Sequence, residues 1–174
     1  MAGGQVADLG CGPGHVGAYL HGLGPPVVGV DLSPAMIDIA TRTYPGMRFQ
    51  VGSMLDLDLP DASPAGVVAL YSIIHIPTAQ PPRVFAEVHR ALSPGGQALF
   101  AFQTGDGSPT HRDRRVARPP RLAHRLVAAA GRRHRPPRPA GLPVHARLHR
   151  DPGEAEARPR AYVFARKGDA VREA

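Results

Sequence analysis

Short, mostly apolar runs alternate with amphipathic stretches through residues 5–103. The apolar runs occupy residues 5–9, 27–32, 47–51, 65–72 and 97–103. Such runs, bounded by glycine or polar residues, are typical of buried strands in a parallel sheet. Between them, residues 15–23, 33–44 and 81–92 have the spacing of helices. Strands that alternate with helices over short links predict a doubly wound α/β fold, with helices on both faces of the sheet.

The second and third predicted helices carry clear start signals. Ser33 can cap the second helix and Pro34 suits its first position, while the third helix opens with two prolines. Apolar residues recur at helical spacing in both. Met36, Ile37, Ala40 and Tyr44 fall on one face of the second helix, and the predicted buried face of the third consists of Val84, Phe85, Val88 and Leu92.

The chain changes character after residue 104. Residues 1–103 carry four Lys or Arg against seven Asp or Glu, a net charge of −3, so the remaining residues hold 17 against seven, or +10. Residues 112–138 contain ten arginines and one acid, with a candidate helix at residues 121–131. Alternating apolar residues return at 142–150 and 160–167, which predicts two antiparallel strands that close the sheet.

Length and composition limit the class of protein. A chain of 174 residues that is 43% hydrophobic suits a single domain. Cys11 is the sole cysteine, so no internal disulfide can form, and the nine histidines lack the spacing of metal ligands. No apolar run approaches the ~18 residues of a membrane span, and no signal segment opens the sequence. We therefore expect a cytoplasmic protein without a metal ion or membrane partner.

A glycine-rich turn follows the first predicted strand, in VADLGCGPG. Gly10, Gly12 and Gly14 stand at alternate positions, where they allow a close approach between the backbone and a ligand. The dinucleotide fingerprint would need a third glycine at His15, and the Gly-Lys-Ser/Thr of a P-loop is absent. Asp8 precedes the turn. A carboxylate there would repel a pyrophosphate but suits a ligand with an ammonium group.

Asp31 ends the second predicted strand, 17 residues after Gly14. In a doubly wound sheet this position lies beside the first loop, where a carboxylate can accept hydrogen bonds from ribose hydroxyls. A nucleoside with free hydroxyls and a cationic, zwitterionic tail fits both acids. S-adenosylmethionine (SAM) matches that description. An NAD-dependent oxidoreductase stays open as an alternative.

Four segments together resemble the class I SAM-dependent methyltransferases. The first two, VADLGCGPG and VVGVDLSPAMIDIA, resemble the D-x-G-x-G-x-G motif and the ribose-binding acid with its following helix. The others are FQVGSMLDLDLPDASPAGVVALYSIIHI and VFAEVHRALSPGGQALFAF. The resemblance covers residues 5–103 and implies a Rossmann-like sheet with strand order 3-2-1-4-5-7-6 and an antiparallel last strand. It further implies SAM as cofactor and SN2 transfer of its methyl group to an N, O or C nucleophile of a small molecule.

The resemblance assigns roles to individual positions. The glycine loop would line the methionine moiety, with Asp8 near its ammonium group and Asp31 on the ribose. Leu32 and Met54 would enclose the adenine, with Ser53 at its amino edge. Tyr71 and the neighbouring Ser72 would border the sulfonium. The expected cofactor contacts are Asp8, Gly10, Cys11, Gly12, Gly14, Asp31, Leu32, Met36, Gly52, Ser53, Met54 and Tyr71.

His75 is the candidate catalytic residue. It follows the fourth predicted strand, where acceptors enter in this fold, and an imidazole can act as a general base near neutral pH. A positioning role and a purely structural role stay open, because methyl transfer depends chiefly on alignment of donor and acceptor. We assign the Cys11 side chain to packing rather than to nucleophilic chemistry.

The basic segment at residues 112–138 has two interpretations. It could bind nucleic acid through phosphates, as a non-catalytic protein would, but no aromatic residue lies between Phe102 and Tyr162 to stack bases. Its Arg, Pro, Ala, Gly and His composition is also what GC-rich DNA yields in a shifted frame. We favour the frameshift, and expect poor order there. The first strand begins close to Met1, which suggests a truncated start, so we expect slow methylation and weak or moderate SAM binding.

Overall fold

The computed structural model describes residues 4–77, 79–104, 141–153, 156 and 158–169. Its elements in chain order are β1 (Val6–Leu9), α1 (His15–Gly22), β2 (Val27–Asp31), α2 (Pro34–Thr43), β3 (Arg48–Val51), β4 (Gly66–Leu70), α3 (Pro81–Ala91), β5 (Gln97–Gln103), β6 (Val144–Arg150) and β7 (Arg160–Arg166). The ends of the predicted elements in this part of the chain differ from these by two residues at most. A 3-10 turn at Ile73–His75 was not predicted.

The seven strands form one sheet in the order β3-β2-β1-β4-β5-β7-β6. Strands β1 to β5 run parallel, whereas β7 is antiparallel to both β5 and β6. The predicted strand order and the antiparallel last strand are therefore confirmed. The chain moves outward from β1 to β3 and then returns to β4 on the other side of β1. In open α/β sheets this reversal leaves a crevice at the carboxyl ends of the strands, where ligands bind.

The central strands are buried on both faces, as their apolar runs predict. Ala7, Leu9, Val28, Val67 and Ala69 expose 1% of their surface or less. Helix α3 places its apolar face against the sheet, and its Phe85 ring meets Phe100 of β5 edge to face with centroids 5.3 Å apart. The predicted inward face of α3 is buried throughout, at Val84, Phe85, Val88 and Leu92. Burial of this apolar area is the main stabilisation of the sheet.

Helix α2 begins as predicted, but one residue of its apolar face does not point into the core. The Ser33 hydroxyl accepts a hydrogen bond from the Met36 N–H at 3.4 Å, and Pro34 occupies the first turn. Ile37 and Ala40 are buried, whereas Met36 is 37% exposed. Met36 lies in the first turn of α2, just past the last residue of β2, so the sheet does not cover it.

Other predictions concern parts of the chain beyond these elements. The basic segment 112–138 and its candidate helix at 121–131 lie outside the described residues. The division of the chain into a cofactor-binding part, a basic segment and closing strands within a single domain thus stays a prediction. Within the described ranges, no helix is long and apolar enough to cross a membrane, and no group of three or more His, Cys, Asp or Glu side chains could hold a metal ion.

Candidate cofactor site

The glycine loop joins β1 to α1 at the carboxyl edge of the sheet. Gly10, Gly12 and Gly14 all have positive φ, between +53° and +89°, which side chains of L-residues rarely allow. A Cβ on Gly10 would also lie 2.2 Å from Cβ of Ser72. At Gly12, by contrast, a Cβ would meet no atom within 4 Å. The loop is therefore packed closely against the end of β4 on one side and open above Gly12.

Asp31 connects this loop to the end of β2. Its Oδ2 accepts a hydrogen bond from the Gly12 N–H at 2.9 Å, and its Oδ1 accepts one from the Ser33 N–H at 2.8 Å. A carboxylate offers roughly four acceptor positions, so about two remain. Asp31 is only half-buried. The carboxylate is thus held in place by the backbone and can still accept hydrogen bonds from a pair of ribose hydroxyls.

Asp8 is the buried acid of the site. It is 2% exposed, and its Oδ2 has no hydrogen-bond partner among the described residues. Burial raises the pKa of Asp8 to about 6, the Gly17 N–H in the first turn of α1 offsets this in part, and the negative charge of Asp31 adds to it. A buried carboxylate without a positive partner is costly. The ammonium group of a ligand near the loop would stabilise its charged form.

The segment after β3 comes to the same edge as Asp31. The Gly52 N–H donates to the backbone carbonyl of Asp31 at 2.9 Å. Ser53 Oγ accepts from the Leu55 N–H at 3.2 Å, which leaves the hydroxyl hydrogen to donate elsewhere. Cε of Met54 lies 3.5 Å from where a Cβ of Gly10 would be. The structure therefore brings this segment close to both Asp31 and the glycine loop.

Leu32 and Met36 lie at the rim of this edge. Leu32 is 73% exposed although it follows the buried strand β2, and Met36 is 37% exposed. An exposed leucine at the end of a buried strand can cover one face of a flat ring system. The structure thus leaves both side chains accessible to an adenine.

Cys11 is buried inside the loop. It is 4% exposed, and burial raises the pKa of its thiol to about 12, with smaller contributions from the charges of Asp8 and Asp31. Its Sγ would lie 2.9 Å from a Cβ on Gly29 of β2. The thiol therefore fills space against that strand, as the sequence predicts, and its high pKa makes it a poor nucleophile.

The end of β4 packs on the glycine loop through Ser72. The Ser72 hydroxyl donates to the backbone carbonyl of Leu9 at 2.6 Å and is buried. Tyr71 beside it has a φ of +57°, an unusual conformation for a bulky residue. His75 follows in the 3-10 turn and is exposed. Tyr71 and His75 thus lie on the side of the loop that faces β5 rather than β2.

A polar cluster that sequence reasoning missed surrounds Tyr71, and we call Tyr71, Arg150, Glu156, Arg160 and Tyr162 the carboxyl-edge cluster. The Tyr71 hydroxyl accepts from Nη1 of Arg160 at 3.0 Å and lies 3.2 Å from the Tyr162 hydroxyl. The Arg160 guanidinium also lies over the Tyr71 ring, 5.1 Å from its centroid. Nη2 atoms of Arg150 and Arg160 each meet Oε1 of Glu156 at 2.7 Å.

The two tyrosines of this cluster are perturbed in opposite directions. Burial raises the pKa of Tyr71. The hydrogen bond with Tyr71 lowers the pKa of Tyr162, and its neighbours Arg150 and Arg160 act in the same direction. The sequence held one part of the signal for this cluster, because Arg160 and Tyr162 are two residues apart at the start of a predicted antiparallel strand. A strand that runs antiparallel to β5 begins beside the carboxyl end of β5.

Comparisons with known proteins identify the family. A sequence model described as a methyltransferase domain matches residues 6–96, which include the glycine loop, Asp31 and β4. The structure is similar to that of a SAM-dependent methyltransferase from Methanosarcina mazei, with a TM-score of 0.74, 16% identity, and coverage of 98% of this chain and 95% of that one. The chain therefore belongs to the class I SAM-dependent methyltransferase family.

Curated relatives match over part of their length. Trans-aconitate 2-methyltransferase of Methylobacterium nodulans is 34% identical over 134 residues, which are 75% of this chain and 51% of that protein. Malonyl-[acyl-carrier protein] O-methyltransferase of Serratia marcescens is 31% identical over 97 residues, or 56% and 37% of the two chains. The chain thus spans about half the length of the first of these relatives and less of the second.

Proposed function

We propose that this protein binds SAM at the carboxyl ends of β1 and β2 and transfers its methyl group to a small-molecule acceptor. SAM supplies an electrophilic methyl group on a sulfonium. In an SN2 displacement, an N, O or C nucleophile of the acceptor forms the new bond to carbon while the carbon–sulfur bond breaks. S-adenosylhomocysteine (SAH) leaves with the electron pair, and the acceptor loses a proton where its nucleophile carried one.

The observation that carries this proposal is the joint geometry of Asp31 and the glycine loop. One carboxylate oxygen of Asp31 holds the Gly12 N–H, so the ribose acid and the open part of the loop form a single unit. Asp8 beneath this unit is a buried acid, and one of its oxygens has no partner among the described residues, which suits an ammonium group. A pyrophosphate next to the same carboxylate would be repelled. These features favour SAM over a dinucleotide.

We assign the remaining contacts as follows. The adenine lies against Leu32, Met36 and Met54, and the Ser53 hydroxyl donates to it beside Gly52. Gly10, Cys11, Gly12 and Gly14 follow the methionine moiety with their backbone, and Tyr71 borders the sulfonium. His75 is the candidate general base for acceptors whose nucleophile must lose a proton. These assignments, like the cytoplasmic location expected from the sequence, stay predictions.

Small-molecule acceptors are supported by the names of two relatives, trans-aconitate 2-methyltransferase and malonyl-[acyl-carrier protein] O-methyltransferase. Both names specify an acid or its carrier-bound form. An acceptor of comparable size would bind above Tyr71 and His75, on the side of the glycine loop away from the ribose. This chain matches 51% of the first relative and 37% of the second, so the proposal is confined to the class of acceptor and names neither substrate.

Calorimetry with the 174-residue chain tests the proposal. SAM and SAH should each bind at one site, and NAD should not bind. A radiolabelled methyl group should then appear on a member of an acceptor panel, and His75→Gln should slow transfer to acceptors that must lose a proton more than to others. Binding of NAD in place of SAM would favour the oxidoreductase alternative. Salt-dependent binding of RNA without SAM binding would favour a nucleic-acid-binding protein.

A further inference from the structure

The carboxyl-edge cluster adjoins the proposed cofactor site. Tyr71 directly precedes Ser72, whose hydroxyl donates to Leu9 at the end of β1 and whose Cβ faces Gly10. From Tyr71 the cluster extends across the ends of β5, β7 and β6. Any acceptor that approaches a methyl group held above the glycine loop from the β5 side must pass over these side chains. The cluster therefore occupies the place of an acceptor subsite.

Within the part of the chain that the structure describes, the cluster holds hydrogen-bond donors that lack acceptors. Arg160 has five N–H donors, and within the described residues it gives one to the Tyr71 hydroxyl and one to Glu156. Its Nε–H is buried and has no partner there. The hydroxyls of Tyr71 and Tyr162 share one hydrogen bond, so one of their two hydrogens remains to donate. A ligand that completes this arrangement must supply acceptors only.

Glu156 shows which acceptor the arginines select. Its carboxylate lies between Arg150 and Arg160, where Oε1 accepts from both arginines and Oε2 accepts from Arg150. Arg150 keeps 42% of its side-chain surface exposed and Arg160 keeps 29%, so neither side chain is fully enclosed by the protein. Guanidinium forks match the planar, two-oxygen geometry of a carboxylate. A carboxylate from outside would meet the same donors as Glu156 and compete with it.

A purely structural role explains this arrangement poorly. Partly exposed ion pairs contribute little to stability. A buried N–H without an acceptor is costly, so the free state holds a cost that a bound ligand could remove. Nη1 of Arg160 is fixed over the Tyr71 ring by its hydrogen bond to the hydroxyl. The guanidinium is thus held against Tyr71, the residue that directly precedes Ser72.

We propose that the carboxyl-edge cluster is the acceptor subsite and binds a carboxylate of the methyl acceptor, in competition with Glu156. This inference rests on the proposed function, since it names the class of molecule that the methyl group reaches. The bound carboxylate anchors the acceptor between Arg150, Arg160 and the tyrosine hydroxyls. The rest of the molecule then extends past Tyr71 towards the sulfonium.

An NMR titration with succinate tests the subsite. Succinate is added to the 174-residue chain saturated with SAH and, separately, to the chain alone, while arginine Nε–H signals are followed. The signal that disappears in Arg160→Gln should be the one that succinate shifts. Arg160→Gln should weaken succinate binding about tenfold or more, because it removes hydrogen bonds to a charged group. Arg147→Gln, an exposed arginine on β6, is the matched control and should bind within about twofold of the wild type.

The Glu156→Gln variant should change succinate affinity in the opposite direction to Arg160→Gln. Removal of the competing charge should tighten succinate binding, whereas a structural cluster would only be weakened by the loss of its central ion pairs. If Arg160→Gln fails to fold, Tyr162→Phe replaces it, because this variant keeps the ring and removes one donor. Weaker succinate binding in Glu156→Gln, or equal binding in Arg160→Gln and Arg147→Gln, would overturn the subsite.

Two further measurements distinguish a failure of the carboxylate subsite from a failure of the proposed function. Succinamide, which has the same length without charge, should not bind, and inorganic phosphate should bind more weakly than succinate. Preference for phosphate would overturn the carboxylate assignment. SAH affinity is measured first in every variant and should change little. A chain that binds succinate but not SAH would contradict the proposed function, and one that binds SAH but not succinate would contradict only this inference.

Discussion

Replacement of Asp31 by alanine is expected to weaken SAM binding by about 1.5–3 kcal/mol, or roughly 10- to 150-fold. Two of the roughly four acceptor positions of this carboxylate hold the N–H groups of Gly12 and Ser33. The other two are proposed to accept the ribose hydroxyls. A hydrogen bond to a charged group contributes on this scale. Because Asp31 is partly exposed, we expect its two hydrogen bonds to the ribose together to contribute about as much free energy as one buried bond of this kind.

The variant also releases the Gly12 N–H, so weaker binding alone would not prove a ribose contact. Calorimetry should therefore compare SAH with its 2′-deoxy analogue. The wild type should bind the analogue more weakly than SAH, and Asp31→Ala should bind both equally, because the hydroxyl has lost its acceptor. Asp38→Ala, which removes an exposed acid of α2, is the control and should leave both affinities unchanged. An equal penalty for the analogue in wild type and Asp31→Ala would refute the ribose contact.

Four other predictions concern the glycine loop and its buried acid. Because the pKa of Asp8 is raised from 3.8 to about 6, ionisation of this carboxyl lowers the folding stability as pH rises through that range. Asp8→Asn should therefore be more stable than the wild type by up to about 3 kcal/mol at pH 7 and by almost nothing below pH 4. Denaturant titrations at the two pH values would show this difference. In the wild type SAM should bind more tightly as pH rises through about 6, and this dependence should vanish in Asp8→Asn; a flat wild-type profile would remove the ammonium contact. Gly10→Ala should lose about 2–5 kcal/mol of folding stability, because Gly10 has a positive φ and a Cβ there would clash with Ser72. The control Gly46→Ala, at a position with open space, should change the folding stability by under about 1 kcal/mol in the same titration. Cys11 should react with a thiol reagent at pH 8 only as fast as the protein unfolds, since its thiol is buried with a pKa of about 12, and rapid labelling of the native chain would contradict its packing role.

The sheet could be predicted from the sequence because its signals are local. Apolar runs mark the buried strands, Ser33 with Pro34 marks a helix start, and the motifs from Asp8 to Gly14 lie within a few residues of one another. Each of these depends on neighbours in the chain rather than on distant contacts. Helical spacing alone did not decide whether Met36 packs in the core or contacts the cofactor, because it does not show where the sheet ends beneath the helix.

The carboxyl-edge cluster escaped prediction for a different reason. Tyr71 and Arg160 are 89 residues apart, and their contact needs both the position of β7 beside β5 and its antiparallel direction. Periodicity shows that residues 160–167 form a strand but not which strand end lies beside Tyr71. The link between Ser72 and Gly10 likewise depends on β4 lying next to β1. Contacts of this kind follow from topology, which the family resemblance supplied and the residue pattern did not.

A crystal structure of the 174-residue chain with SAH tests the central claim most directly. The account predicts that the 2′- and 3′-hydroxyls of the ribose lie within hydrogen-bond distance of the Asp31 carboxylate, with the amino acid moiety over Gly12 and its ammonium group directed towards Asp8. SAH density at another edge of the sheet, or a ribose without a contact to Asp31, would contradict it.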